Sequence, residues 1–121
     1  MQSMLPAAAI LAALTLAGCS REVSYRADVA PILAANCNEC HSPGKPGFVA
    51  TGFDTTSYQG LLNGGKFGPL IKPGDAFTSA FNMVVEGRVH SSIQMPKDRP
   101  KLADRNIETL KAWVKQGARL N

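Results

Sequence analysis

The strongest periodicity lies near the end of the chain. Ile107, Leu110, Trp113 and Val114 recur at helical spacing, while Glu108, Lys111 and Lys115 take the opposite side. This predicts an amphipathic helix from about Asp104 to Gln116, with Asp104 as the candidate cap and Gly117 as the stop. The other predicted elements are shorter and set apart by glycine and proline. Ile32 and Leu33 point to a core, Ala34 and Ala35 favour helix, and Pro31 suits a first turn. A first helix is therefore expected from Asp28, as N-cap, into Cys37. Ser42 to Gly52 holds Pro43, Gly44, Pro46 and Gly47 and reads as a loop. A short helix is expected through Tyr58, Leu61 and Leu62, capped by Thr55, Thr56 or Ser57 and ended by Gly64-Gly65. Lys66 to Gly74 returns to loop. Phe81, Val84 and Val85 then form an apolar stripe after a cap at Thr78 or Ser79, and Gly87 closes it. Trp113 is expected in the core.

The start of the chain has a different composition. Met4 to Gly18 carries no charged side chain and is mostly Leu, Ala and Ile. It is too short to span a bilayer, which takes about 20 residues, and reads as the apolar region of an export signal. Met1-Gln2-Ser3 lacks the positive residue usual in such signals. Leu16-Ala17-Gly18-Cys19 resembles a bacterial lipoprotein box, which implies cleavage before Cys19 and lipidation of that thiol. The other reading is an ordinary leader that leaves Cys19 as a free thiol. Ser20, not Asp, follows; by resemblance to sorting in bacteria with two membranes, this implies the outer membrane. Arg21 to Arg26 is polar. The expected organisation is a lipoprotein signal peptide over residues 1–18, a lipidated tether over 19–26 and one domain over 27–121.

The 121 residues, 45% of them hydrophobic, suffice for one small core. The formal charge of +4 is too mild to suggest nucleic acid. There is no basic arm, run of like charge or aromatic interleaving, so nucleic acid is not an expected partner.

The candidate chemistry sits in Cys37-Asn38-Glu39-Cys40-His41. This fits Cys-x-x-Cys-His, the pattern of a c-type haem attachment site. Two thiols three positions apart can each add to one vinyl group of a porphyrin, and the adjacent His can reach the iron. Two other chemistries are weaker fits. A redox disulfide is expected beside a βαβ pattern, and none is visible. A zinc site could use Cys37, Cys40, His41 and His90, but zinc does not need Cys and His adjacent, and there is no second Cys pair. A haem would also supply apolar core to a domain of roughly a hundred residues, a size at which burial alone stabilises modestly. Its propionates would bring the charge to about +2. A ligand His usually donates its second N–H to a carbonyl or carboxylate, and the Ser42–Gly52 loop is the expected source of that partner.

Ile93-Gln94-Met95-Pro96 is the second chemical stretch. A Met thioether is a soft, neutral iron ligand that raises the potential. Pro96 biases Met95 toward extended backbone. Met95 as a plain buried side chain, His90 as the second ligand and an open sixth position are the alternatives. Met83 reads as core. The Trp113 indole could reach a propionate, a lesser role than packing. Lys97, Arg99, Lys101 and Arg105 follow the Met stretch and form either a docking rim for an acidic partner or an ordinary wet surface. No nucleophile–base set, phosphate loop or paired-carboxylate pattern suggests a hydrolase.

Taken together, these stretches resemble a class I c-type cytochrome, and in particular the planctomycete-type cytochrome c domain family. The matching residues run from Tyr25 to Asn121. They include Asp28-Val29-Ala30-Pro31-Ile32-Leu33 before the haem motif, Gly52-Phe53-Asp54, Lys72-Pro73-Gly74-Asp75 with Ser79, Met95-Pro96, and Trp113-Val114-Lys115-Gln116-Gly117-Ala118. Lys97 stands where the family often has a second Pro, and Ala103 where a Ser cap is common. The resemblance implies an all-α, small class I cytochrome c fold. Three to five helices would wrap around one covalently bound haem c, with the first and last helices crossing beside it. It implies thioether bonds at Cys37 and Cys40, a proximal ligand at His41 and a distal ligand at Met95. The implied function is one-electron transfer on the periplasmic side of a membrane, with redox proteins as partners, a lipid anchor and no small-molecule substrate. A haem peroxidase or ligand sensor with an open sixth position is the rival. A third reading is an interaction module whose haem serves a larger oxidoreductase.

Overall fold

Helical structure begins earlier than the sequence predicts. The computed structural model describes Gly18 and residues 20–121. Residues 1–17 of the expected leader and the candidate acylation site Cys19 lie outside the described residues. Ser24, not Asp28, caps the first helical segment: its Oγ accepts from Ala27 N–H at 3.1 Å. The Asp28 carboxylate reaches back to accept from Ser24 N–H at 2.8 Å and pairs with Arg21 at 2.9 Å. This is the reciprocal logic of a capping box. A π-helical turn, Tyr25–Val29, leads directly into α1, Ala30–Asn36, with Pro31 in the first turn as expected.

The polar stretch expected to be a tether is docked from Arg21 onward: Arg21 O accepts from Gln116 Nε2–H at 3.2 Å. Val23 N–H donates to Gln116 Oε1 at 2.8 Å, and Glu22 pairs with Arg119 at 2.7 Å. Tyr25 N–H donates to Asn121 Oδ1 at 2.8 Å, and Arg26 N–H to Asn121 O at 3.1 Å. Two of the stretch's members, Val23 and Tyr25, are apolar enough to pack on the core, which outweighs its polar average.

The second correction lies in Ser42–Gly52, where Pro46–Thr51 forms a short helix, α2. Its proline sits in the first turn, where a missing N–H costs nothing, and Gly52 ends it with φ of 72°. Helix α3, Tyr58–Asn63, is capped by Ser57, whose side chain accepts from Gly60 N–H at 3.0 Å. Helix α4, Ala80–Glu86, follows Ser79 and stops at Gly87. Ser79 occupies the cap position, but its Oγ donates to Asp75 O at 2.6 Å and accepts from Lys72 N–H at 2.8 Å. A 3-10 turn, Ser91–Ile93, precedes Met95. Helix α5, Asp104–Lys115, starts after Ala103; Asp104 is its first helical residue and not its cap.

Among the described residues the secondary structure is helical, without strands; one isolated antiparallel bridge joins Gly65 and Gly68. The all-α expectation therefore holds. No helix among these residues is long and apolar enough to cross a membrane. Helix α5 packs on both the π-helical turn and α4. Val29, Leu33, Leu61, Leu110, Trp113 and Val114 are fully buried; full burial of such a side chain stabilises by about 1.5–3 kcal/mol. Trp113 lies 5.7 Å from the Tyr25 ring and 6.4 Å from Tyr58, and its Nε1–H donates to Arg119 O at 3.0 Å. The indole is thus a core group tied to the C-terminal segment, and its N–H is already used.

Candidate functional site

At the C-terminal end of α1 the chain continues as hydrogen-bonded turns instead of leaving the helix freely. Cys37 N–H and Asn38 N–H both donate to Leu33 O, at 2.8 and 3.0 Å. Cys40 N–H and His41 N–H both donate to Cys37 O, at 3.1 and 2.9 Å. The tight turns bring both thiols and the imidazole to the wall of one cavity of about 690 Å³. Met95 lines the same cavity, with Phe53 and with Phe81, Val84 and Val85. All four residues singled out for haem chemistry in the described chain therefore share one apolar space. Its volume falls within the range of about 300–1,000 Å³ usual for ligand and cofactor pockets.

The imidazole is oriented from behind. His41 Nδ1 lies 3.3 Å from Phe53 O. The tautomer that uses this contact carries its proton on Nδ1 and leaves the Nε2 lone pair free for a metal. The partner expected from Ser42–Gly52 is thus supplied one residue past that loop. Phe53 also meets the imidazole edge-on, with ring centroids 5.7 Å apart. Helix α2 presses on the same turn: Phe48 N–H donates to Cys40 O at 3.0 Å. A Cβ at Gly47 would stand 2.7 Å from Cys40 O and 3.0 Å from His41 Cε1. Gly47 is a site residue that sequence reasoning missed; its only signal was a glycine inside an apparent loop.

Met95 is half-buried and packs on the core. Its N–H donates to Val84 O at 3.0 Å, which fixes the segment to α4. The Met95–Pro96 peptide is cis. Met83 is half-buried and lies outside the cavity. His90 is exposed and also outside the cavity; its Nδ1 accepts from Ser92 N–H at 3.2 Å and lies 2.9 Å from Ser92 Oγ. It caps the 3-10 turn, so neither the zinc set nor a His90 ligand has geometric support. Among the described residues no group of three or more His, Cys, Asp or Glu side chains could hold a metal ion.

Cys37 and Cys40 are free thiols. Burial pushes the Cys37 thiol up to about 11, with the charge of Cys40 adding to the shift. Thiol–disulfide exchange needs a thiolate, and burial disfavours one at Cys37. An apolar wall carrying two thiols, an imidazole with one nitrogen anchored and a thioether suits a large flat macrocycle around a metal.

Of the basic residues after Met95, Lys97 and Arg99 border the cavity that holds Met95, and Lys101 does not. Arg99 pairs with Glu39 at 2.5 Å, and Lys97 Nζ donates to Ser92 O at 2.9 Å. Lys101 borders a second cleft of about 410 Å³ between α4 and α5, where Glu86, Arg88, Asp104 and Lys111 mix both signs of charge. Comparison with protein-family models, curated proteins and solved structures finds no match.

Proposed function

We propose that the chain is a small class I c-type cytochrome, carrying one covalently bound haem c within the helical frame. More particularly, it is a mono-haem electron carrier with His/Met ligation. The observation that carries this reading is the gathering of Cys37, Cys40, His41 and Met95 on one apolar cavity, with His41 Nδ1 turned to Phe53 O. Cys37 and Cys40 would tether the group, which removes most of the entropy cost of holding it. His41 would offer Nε2, and Met95 its sulfur. The haem, when bound, supplies an iron that changes oxidation state by one electron. The chain's own contribution is to keep both donors in place, so that little reorganises between states. The apolar wall excludes water and favours the less charged form, which raises the potential together with the thioether.

The same reading includes an export leader, lipidation at Cys19 and an outer-membrane anchor on the periplasmic side, with redox proteins as partners. Export is needed for the chemistry, since thiol-to-vinyl attachment belongs to compartments with maturation machinery. The rival, a haem peroxidase or ligand sensor, requires an open sixth position, and Met95 on the cavity wall disfavours it. The test is the near-infrared absorption of the ferric protein made in a host competent for cytochrome maturation. A Met–iron band that disappears in Met95→Ala is expected. A spectrum without the band, indifferent to that substitution, would favour the open-site rival.

A further inference from the structure

Glu39 stands between the two cysteines of the attachment motif, and Arg99 lies four residues past Met95. They are 60 residues apart in sequence, yet Arg99 Nη2 donates to Glu39 Oε2 at 2.5 Å. Arg99 also lines the cavity. The remainder of the Met95 segment makes few hydrogen bonds to other elements. Lys97 Nζ to Ser92 O is a bond within the segment, and Met95 N–H to Val84 O anchors it to α4. Among the described hydrogen bonds, Arg99 to Glu39 is the one that joins this segment to the attachment turn.

We propose that the Arg99–Glu39 pair is a clasp that closes the Met95 segment against the attachment turn at the rim of the cavity. Both are positioning residues: they act through Met95 and set how often its sulfur leaves its place. The proposal rests on the haem reading above and deepens it. The Arg99 and Glu39 side chains are 39% and 73% exposed, so the pair adds little to global stability. A local opening, however, involves only the few contacts that hold one segment. An increment too small to unfold the domain is then enough to change the open population severalfold.

The experiment uses the haem-loaded protein and the variants Arg99→Gln, Glu39→Gln and the double variant. Azide is the probe for opening, because it can bind ferric iron only when Met95 has left. Azide binding is expected to speed up by about 1.5- to fivefold in each single variant, the range expected for one exposed ion pair. The double variant should match the singles without adding to them, which is the signature of one shared interaction. In about 1 M salt, where the screening length is near 3 Å, the unaltered protein should approach the variants. Amide exchange at Met95 N–H should rise in parallel while α5 amides keep their protection, a contrast that general weakening of the fold would not produce. Lys45 also lies near Glu39, so Arg99→Gln is the cleaner single change. Unchanged azide binding and unchanged Met95 exchange in Arg99→Gln would overturn the clasp, as would fully additive effects of the two singles. Protein that carries no haem would instead overturn the reading beneath it, while Met95 exchange would still report on the clasp.

Discussion

At the scale of single residues, the site depends as much on a missing side chain as on the reactive ones. Gly47 lets α2 settle on the Cys40–His41 turn, and a methyl group there would meet Cys40 O at 2.7 Å. Its backbone is not left-handed, so the constraint is purely one of space. Gly47→Ala is expected to cost about 1–3 kcal/mol through overpacking, read as a lower midpoint in thermal unfolding. A midpoint equal to that of the unaltered chain would mean that α2 can shift freely. Trp113→Phe tests a different assignment. It removes the indole donor from Arg119 O, 3.0 Å away, and should cost about 1–3 kcal/mol by leaving that acceptor unsatisfied. It should leave the haem absorption spectrum unchanged, because the indole does not line the cavity; a shifted spectrum would contradict the core assignment. Cys37, Cys40, His41 and Met95 stood out because Cys-x-x-Cys-His and Met-Pro are distinctive patterns, and the fold brings all four to one cavity. Phe53 O was not legible, because every residue has a carbonyl and only the fold chooses one. The same holds for Glu39 and Arg99, ordinary charges until two distant turns meet.

At the scale of elements, the helices with a buried stripe were readable and their first residues were not. Ile107, Leu110, Trp113 and Val114 are all buried, as their spacing implies. The start of the first helical segment was misplaced because Asp28 acts from inside the helix, reaching back to Ser24 N–H. Helix α2 was missed because Pro46, read as a breaker, sits at the one place in a helix that tolerates it. The docking of residues 21–26 on the C-terminal segment left no local pattern, since its bonds to Gln116 and Asn121 span more than ninety positions. Asn121→Ala should therefore fray the first helical segment. Amide exchange at Tyr25 and Arg26 is expected to accelerate about five- to tenfold, as loss of about 1–1.5 kcal/mol of hydrogen bonding implies. Unchanged exchange there would show that the terminus is not what holds the segment.

Asp28 also makes this corner sensitive to acid. The Ser24 N–H bond, with Arg21 beside it, holds the carboxyl below its usual 3.8. A depressed carboxylate contributes stability that is complete above that usual value and is lost as the pH falls through the folded one. Asp28→Asn should therefore lower the thermal midpoint at neutral pH and flatten its fall below about pH 4. An acid limb as steep as that of the unaltered chain would contradict this.

At the scale of the whole molecule, the helices form a frame with a large apolar gap. Holding 690 Å³ open would cost up to about 17 kcal/mol, at about 24 cal/mol per Å³ of enclosed void. The cavity opens to solvent at its rim, so that figure is an upper bound, but even half of it is comparable to the total stability of a small domain, about 5–15 kcal/mol. Cys37→Ala/Cys40→Ala protein freed of haem should keep most of its helical far-ultraviolet signal, lose its near-ultraviolet signal and bind a hydrophobic dye. A sharp cooperative transition with native near-ultraviolet structure would show that the frame needs no filling. That burial alone stabilises a domain of this length only modestly was foreseeable from chain length; the shape of the gap was not, because α2, α4 and the Met95 segment define it jointly.

The account rests on a covalent link between the chain and haem. The most direct measurement is the intact mass of denatured protein, produced with cytochrome maturation machinery, before and after treatment with a thiol-alkylating reagent. The account predicts a mass raised by one haem, with Cys37 and Cys40 both resistant to alkylation. A mass equal to the bare polypeptide, with both residues alkylated, would contradict it.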